Sequence, residues 1–356
     1  MAFKLGICTL SLGQASAGHS LSDKLRAARA HGIQGVEIFD EDLYHLADSF
    51  PGGRLQECNR LAAAVVIRHL CEAEGLAIIC LQPFRHYEGI IDRACHAQRF
   101  AELQHYMTLA QLLGTDLILI PSSFLPSEQL SASDDDAVAD LVKAADYAAQ
   151  MQPPIRIAYE ALCWGTRCDV WERSWEMVTR VNKPNFGMCI DTFNLAGRVY
   201  ADPSSPTGKT PNAEQDIAES MQRLVKYVDA SKIFFVQMGD AARLSEPIQP
   251  GHMLYNKDQP CRMSWSRHCR LFYGEQHLGG YLPIKDIMVA VLRGVGYRGW
   301  VSYEIFNHKL SNRESSIPNE MAQRAADGFG KMIKDVFGSA DRPMSNSGAW
   351  EQRSYL

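Results

Sequence analysis

The sequence predicts an α/β fold in which eight parallel strands close into a (β/α)₈ TIM barrel. Short runs of apolar, β-favouring residues alternate with longer segments in helical spacing. The short runs are apolar on both faces, which is typical of parallel strands covered by helices. Several helical segments end in a glycine directly before the next run, as at Gly32, Gly75 and Gly114, where a helix cap needs a positive φ.

Eight runs are predicted as strands, and eight such units favour closure into a barrel. They cover residues 3–11, 35–39, 76–82, 116–122, 155–160, 186–191, 232–238 and 299–305. An open, doubly wound sheet is the alternative, and it would usually carry a glycine-rich phosphate loop after the first strand. Residues 13–18 (GQASAG) match neither the dinucleotide spacing nor the P-loop spacing.

Helical spacing between the strands completes the repeat. Helices are predicted, among others, at residues 22–31, 55–74, 94–113, 135–150, 214–228, 284–292 and 318–336. Long loops follow strands six and seven, at residues 197–213 and 239–283, and loops in this position build the active face of a barrel. We expect one catalytic domain over residues 1–337 and a C-terminal tail over residues 338–356.

Composition excludes several classes of protein. The 356 residues are 46% hydrophobic and 22% charged, as in an ordinary globular chain, and the formal net charge of −5 gives no broad attraction to nucleic acid or anionic lipid. The longest comparable apolar run, residues 61–67, is far shorter than the ~20 residues of a membrane helix. Ten dispersed cysteines predict reduced thiols and a cytoplasmic location, with a secretory signal at the N-terminus as the less favoured alternative.

Four potential oxygen ligands stand at the ends of predicted strands five to eight. They are Glu160, Asp191, Gln237 and Glu304. Three carboxylates at one barrel mouth need a counter-charge, which a divalent cation supplies. The all-oxygen set suits Mg²⁺ or Mn²⁺ best, with Co²⁺ and Zn²⁺ as further options. The alternative is that each acid pairs with an arginine or faces solvent.

Cations and proton carriers stand on the loops of the same predicted face. Because three carboxylates around a divalent ion keep a charge near −1, an anionic substrate needs cations of its own. Arg85 follows strand three, and Arg267 and Arg270 lie in the long loop after strand seven. Arginine binds carboxylates bidentately. The candidates for proton transfer, each also explicable as an ordinary polar or salt-bridging residue, are Glu37, His19, His86 and His268.

These residues resemble those of the xylose-isomerase-like superfamily of sugar-phosphate isomerases and epimerases. More closely, the chain resembles the fungal 3-dehydroshikimate dehydratases, from about residue 3 to residue 337. The similarity rests on the stretches AGHSLSDKL, GVEIFDEDL, LQPFRHYEG, YEALCWGT, DTFNLAGRVYADP, SRHCRLFYGE and GWVSYEIF. The fifth stretch is far more specific than the quartet of oxygen ligands.

The resemblance implies a hydro-lyase that converts 3-dehydroshikimate to protocatechuate and water in quinate catabolism, through an enolate stabilised by a divalent metal. It implies metal ligation by the quartet above and substrate contacts by Arg85, Ser266 and Arg270, to which we add His86 and Asn194. Several bacterial relatives have Asp-x-x-His where this chain has Asn194, which cannot take up a proton at neutral pH. The general base is therefore left open, and the catalytic candidates are His268, Glu304 and Glu37.

Three functions other than a dehydratase are compatible with a barrel of this kind, and each makes a different demand on the residues. A sugar or sugar-phosphate isomerase or epimerase needs the same metal, but a neutral sugar needs no carboxylate clamp. A DNA-repair nuclease of related shape would need more histidine ligands and a basic face, and a metal-free scaffold would hold no ion. We expect a small-molecule carboxylate as the partner, neither nucleic acid nor a membrane, and we leave homo-oligomer formation open.

Overall fold

The computed structural model describes residues 3–338 and confirms the closed parallel barrel. Its eight strands are β1 (Lys4–Cys8), β2 (Gly35–Phe39), β3 (Ala77–Gln82), β4 (Leu117–Pro121), β5 (Arg156–Glu160), β6 (Phe186–Asp191), β7 (Ile233–Met238) and β10 (Trp300–Tyr303). A separate antiparallel ribbon, β8 (Asp240–Ala241) with β9 (Arg270–Leu271), lies in the insertion after β7. The barrel closes because β1 pairs on both sides, with Gly6 opposite Gly35 of β2 and Ser302 of β10.

The described residues include eleven α-helices, most of which cover the outside of the barrel. They are α1 (Leu21–Ala30), α2 (Asp40–Asp48), α3 (Glu57–Glu74), α4 (Arg93–Leu113), α5 (Asp134–Gln150), α6 (Trp171–Val181), α7 (Thr192–Val199), α8 (Ala213–Tyr227), α9 (Cys261–Cys269), α10 (Ile284–Val289) and α11 (Ile317–Phe337). A π-helix, Ala290–Val295, continues α10. Four of these helices, α2, α6, α7 and α9, are absent from the helices predicted above. Apart from α6, they are nine residues or shorter, and so few turns carry little periodic signal.

The strands point alternate side chains to the two faces of the barrel wall. Leu117 and Leu119 of β4 pack in the interior with Ala158 of β5 and Cys189 of β6, whereas Ile118 and Ile120 join the core under the helices. Because the side-chain period of a strand is two, the residue two positions after each interior residue points inward as well. The interior therefore changes from apolar to polar at the carboxyl ends of the strands.

The structure corrects the predicted extent of the two long loops. The predicted loop 197–213 overlaps α7, which ends only at Val199, and the insertion 239–283 contains β8, α9 and β9 rather than irregular chain alone. Helix α7 spans only eight residues, most of them buried, and about two turns carry little periodic signal. The predicted tail 338–356 lies outside the described residues, apart from Gly338.

Two further structural findings bear on the expectations from composition. Within residues 3–338, no helix combines the length and the apolar character needed to cross a bilayer. The ten cysteines all lie in this described range, and all are free thiols, most of them buried.

Candidate active site

Three acids meet inside the carboxyl end of the barrel. Glu160 is the last residue of β5, Asp191 is the last residue of β6, and Glu304 directly follows β10. One carboxylate oxygen from each lies within 4.8 Å of the others, and all three side chains are buried. An ion with metal–oxygen distances of about 2.0–2.6 Å spans such separations. We call Glu160, Asp191 and Glu304 the acid cluster.

The acid cluster holds more negative charge than its surroundings compensate. Burial, with the neighbouring Glu304 and Asp191 carboxylates, raises the pKa of Glu160 well above its ordinary value. Burial also raises the pKa of Glu304, although the Arg270 guanidinium acts in the opposite direction. One arginine against three carboxylates leaves an excess of two negative charges when all the acids are ionised. A divalent cation matches this excess.

Arg270 of β9 is the cation that contacts the acid cluster. Its Nη1 donates to Asp191 Oδ2 at 2.8 Å and to Glu304 Oε2 at 3.0 Å. The guanidinium is almost fully buried, and it also donates from Nε and Nη2 to Ser266 Oγ, both at 3.2 Å. The sequence left open whether the acids meet an arginine, and the structure pairs Arg270 with two of the three.

Asn194 connects the other side of the acid cluster. Its Nδ2 donates to Glu160 Oε1 at 2.9 Å and to Asp191 Oδ2 at 2.7 Å, and its Oδ1 accepts from the backbone N–H of Cys163 at 3.1 Å. Asn194 reaches both acids because α7 begins one residue after β6, with Asp191 Oδ1 accepting from the Phe193 N–H as helix cap. In this structure Asn194 therefore holds two acids in place.

A chain of two amides and one further acid lies beside the acid cluster. Gln237 of β7 donates from Nε2 to Glu37 Oε2 at 2.7 Å, and its Oε1 accepts from the Cys189 thiol at 3.4 Å. Gln82 donates from Nε2 to the same Glu37 oxygen at 3.1 Å and to Glu304 Oε1 at 2.8 Å. Gln237 thus approaches the acid cluster through Glu37, and the Cys189 thiol leaves one lone pair of its Oε1 unused.

The remaining predicted site residues lie further from the acids. Arg85 is half-buried, and its Nη1 donates to Asp40 Oδ2 at 3.0 Å. His86 has a left-handed φ of 55° and packs edge-on against Phe124, with ring centroids 4.2 Å apart. Burial, with the nearby Arg99 and Arg85, lowers the pKa of His86 to about 4, so its imidazole is neutral at neutral pH. Among the described residues, no hydrogen bond links Arg85 or His86 to the acid cluster.

The predicted histidines 19 and 268 have partners of their own. His19 is buried, and its Nε2 lies 2.6 Å from the carbonyl oxygen of Asn312. His268 of α9 lies with Nδ1 at 2.7 Å from the carbonyl oxygen of Ser264. Because a carbonyl only accepts, Nδ1 of His268 carries the proton and Nε2 is the basic nitrogen of the neutral ring.

His268 also lines a large cavity beside the barrel mouth. The cavity has a volume of about 1010 Å³ and lies between the insertion after β7 and helix α11, where Arg324 and Lys331 form part of its wall. Among the described residues, no member of the acid cluster lines it. The acids therefore face the barrel interior, and His268 faces a neighbouring space.

Comparison with known proteins decides the family. The chain is 50% identical over 342 residues to the 3-dehydroshikimate dehydratase of Neurospora crassa, which covers 94% of this chain and 95% of that protein. The chain belongs to the 3-dehydroshikimate dehydratase family. Residues 25–330 also match the family model described as xylose isomerase-like TIM barrel, as the resemblance predicted.

More distant relatives of this dehydratase family member are longer proteins. The 3-dehydroshikimate dehydratase of Pseudomonas aeruginosa is 32% identical over 306 residues, which are 83% of this chain and 38% of that protein. A solved xylose isomerase-like TIM barrel/4-hydroxyphenylpyruvate dioxygenase fusion protein superposes with a TM-score of 0.70 at 27% identity, over 94% of this chain and 43% of that one. The chain thus spans about two fifths of the length of both proteins.

Gln82 is the member of this dehydratase site that sequence reasoning missed. It is the last residue of β3 and lies two positions after the interior residue Cys80. The period of two that places Glu160 and Asp191 at the mouth therefore also predicts an inward Gln82.

Replacing Glu37 by glutamine should stabilise this dehydratase in its metal-free state at alkaline pH. Burial, together with the Glu304 charge, raises the pKa of Glu37 from 4.5 to about 8. The folded protein therefore keeps a proton that the unfolded chain releases, and its stability falls as the pH rises from 4.5 to 8. We expect the variant to gain roughly 2–5 kcal/mol over the wild type at pH 9 in urea unfolding with chelator. Equal pH dependence of the two proteins would contradict the prediction.

Proposed function

We propose that the protein dehydrates 3-dehydroshikimate to protocatechuate and water, as a hydro-lyase of quinate catabolism. The observation that carries the proposal is the 50% identity, over nearly the whole of both chains, to the Neurospora crassa enzyme of that name. The buried acid cluster at the carboxyl end of the barrel supports it, since barrels of this kind place their active sites at that end.

The acid cluster is proposed to hold a divalent cation, with Glu160, Asp191 and Glu304 as ligands and the Gln237 carbonyl oxygen as the fourth. The donors fit such an ion because three carboxylate oxygens lie within 4.8 Å of one another and carry uncompensated charge. All-oxygen ligation favours Mg²⁺ or Mn²⁺ over Co²⁺ or Zn²⁺. When bound, the cation supplies Lewis-acid stabilisation of the charge that develops on a ketone oxygen during removal of the neighbouring proton.

The residues around the acid cluster are assigned to substrate binding. Arg270 and Arg85 supply positive charge for the ring carboxylate, because a guanidinium binds a carboxylate through two parallel hydrogen bonds. Ser266 fixes the orientation of the Arg270 guanidinium through its hydroxyl. His86 offers a neutral imidazole to the hydroxyl groups of the substrate, and Asn194 keeps two of the ligands in place.

Proton transfer is assigned to three groups. Burial and the Glu304 charge raise the pKa of Glu37 to about 8 in the metal-free protein, so Glu37 is the acid proposed to donate a proton to the departing hydroxide. His268 has a basic Nε2, and Glu304 is linked to Glu37 because both accept from Nε2 of Gln82. Replacing each in turn and comparing pH–rate profiles identifies the group that removes the first proton.

The function is tested by mixing the purified protein with 3-dehydroshikimate and Mg²⁺ or Mn²⁺. We expect the ultraviolet absorbance of an aromatic product, its loss on addition of a chelator, and its return with fresh metal. A neutral ketose serves as the control substrate. Conversion of the ketose without formation of the aromatic product would favour the sugar isomerase or epimerase, and no reaction with metal bound would refute the dehydratase.

The proposed reaction and the free thiols indicate the partner and the location of the protein. The substrate is a small carboxylate, and neither nucleic acid nor a membrane has a role in the reaction. Ten free thiols favour the cytoplasm, where the chain acts alone or as a homo-oligomer.

A further inference from the structure

Arg270 occupies the oxygens that a metal ion needs in the acid cluster. Asp191 Oδ1 accepts from the Phe193 N–H at 2.7 Å, and Glu304 Oε1 accepts from Gln82 Nε2 at 2.8 Å. The second oxygens, Asp191 Oδ2 and Glu304 Oε2, are the ones that face the acid cluster, since Asn194 Nδ2 bridges Asp191 Oδ2 to Glu160 Oε1. Both of these, Asp191 Oδ2 and Glu304 Oε2, accept from the same nitrogen, Arg270 Nη1, at 2.8 and 3.0 Å.

Asp191 Oδ2 has no lone pair left for an ion. It accepts from Asn194 Nδ2 at 2.7 Å and from Arg270 Nη1 at 2.8 Å, and a carboxylate oxygen has two lone pairs. A cation about 2.1 Å from Oδ2 would lie no more than about 5 Å from Nη1, because Nη1 is 2.8 Å from the same oxygen. One of the two hydrogen bonds must therefore break when the ion binds.

Arg270 is the partner that releases Asp191 Oδ2, because its positive charge repels the ion. Asn194 is neutral and is anchored by Glu160 and by the backbone of Cys163. The Arg270 guanidinium stays at the mouth after its release, since Ser266 Oγ binds it and the rings of Phe193 and Phe306 lie 4.3 and 5.0 Å from its Cζ.

We propose that metal binding exchanges the partners of Arg270. In the metal-free protein its guanidinium is the counter-ion of the acid cluster, and in the metal-loaded protein it is released from Asp191 and Glu304 to bind the carboxylate of the substrate. The exchange makes metal binding a precondition for this contact. The inference rests on the proposed function, which assigns both the ion and the carboxylate.

The test is the affinity for Mn²⁺, measured by titration calorimetry without substrate. We expect Arg270→Gln to bind Mn²⁺ roughly tenfold more tightly than the wild type or better, since an opposite charge next to a carboxylate is worth a factor of this size in its equilibria. The matched control is Arg267→Gln, which removes an exposed arginine of the same segment that bonds Gln259. It should bind Mn²⁺ as the wild type does. Equal or weaker binding by Arg270→Gln overturns the exchange.

If Arg270→Gln does not fold without metal, a second variant and a second measurement still test the exchange. This variant is then purified with Mn²⁺, and its affinity is obtained by competition with a chelator. Arg270→Lys keeps the charge and should bind Mn²⁺ nearly as the wild type does, whereas tight binding by both variants would overturn the role of charge. In thermal unfolding, Mn²⁺ should raise the Tm of Arg270→Gln more than that of the wild type. A wild type that binds no Mn²⁺ would instead refute the metal site of the proposed function.

Discussion

Replacing Glu160 by glutamine is expected to lower kcat/KM for 3-dehydroshikimate by about 10³-fold or more and to stabilise the metal-free protein at alkaline pH. Glu160 is the member of the acid cluster that Arg270 does not contact, and its pKa is raised by burial and by Glu304 and Asp191. When the pKa of an acid is raised in the folded state, the protein loses stability as the pH rises towards that pKa. Glutamine cannot ionise, so the variant avoids this loss of stability. It also lacks the negative charge that Glu160 would offer to a metal ion. The measurements are steady-state kinetics with Mn²⁺ and urea unfolding with chelator at pH 6 and 9.

A matched control distinguishes the effect of removing a member of the acid cluster from the effect of replacing any buried glutamate. Glu88 is also fully buried with a raised pKa, and its Oε1 accepts from the Ser123 N–H and the Tyr159 hydroxyl. Glu88→Gln keeps one oxygen for these donors, and we expect it to retain Mn²⁺ affinity and activity. An active Glu160→Gln, or one less stable than the wild type at pH 9 without metal, would contradict a metal-ligand role for Glu160.

Replacing Asn194 by alanine is expected to weaken Mn²⁺ binding by about 10–100-fold, the usual cost of losing a group that orients metal ligands. The amide of Asn194 holds Glu160 and Asp191 at hydrogen-bond distance while its oxygen is anchored to the backbone of Cys163. Without it, the two carboxylates lose their common partner and repel each other. Titration calorimetry with Mn²⁺ measures the affinity directly, and kcat at saturating metal shows what remains of the chemistry.

Asn185→Ala is the control for loss of a half-buried, hydrogen-bonded amide elsewhere in the barrel. Asn185 donates from Nδ2 to the carbonyl oxygens of Ala145 and Ile155, before β6 begins. We expect this variant to lose stability and to bind Mn²⁺ as tightly as the wild type. If the two alanine variants weaken Mn²⁺ binding equally, the effect of Asn194 is a general loss of structure and the orienting role is wrong.

The acids of the site were predictable from the sequence, whereas their partners were not. Glu160, Asp191 and Glu304 each end an apolar run, and parallel strands bring such ends to one face of a barrel. The position of Arg270 depends on the path of the insertion after β7, where only two residues, Arg270 and Leu271, pair as strand β9 with β8. No periodicity in 239–283 predicts that path.

The contact of Asn194 with Asp191 was also not predictable from the sequence, although the two residues are only three positions apart. The sequence placed Asn194 three residues after Asp191, but with a loop rather than a helix predicted from residue 197. The turn of α7 directly after β6 brings the two side chains to 2.7 Å. With eight residues, α7 is too short for its periodicity to predict it, so this contact is visible only in the folded chain.

The sequence by itself determined the closed barrel, the eight strands and the inward direction of the acids, because a side-chain period of two and helix caps are local properties. The tertiary structure alone decided which groups share a carboxylate oxygen, as Asn194 and Arg270 share Asp191 Oδ2. Whether two side chains form a hydrogen bond depends on separations of a few tenths of an ångström. Packing of the whole barrel sets such separations, and local sequence does not.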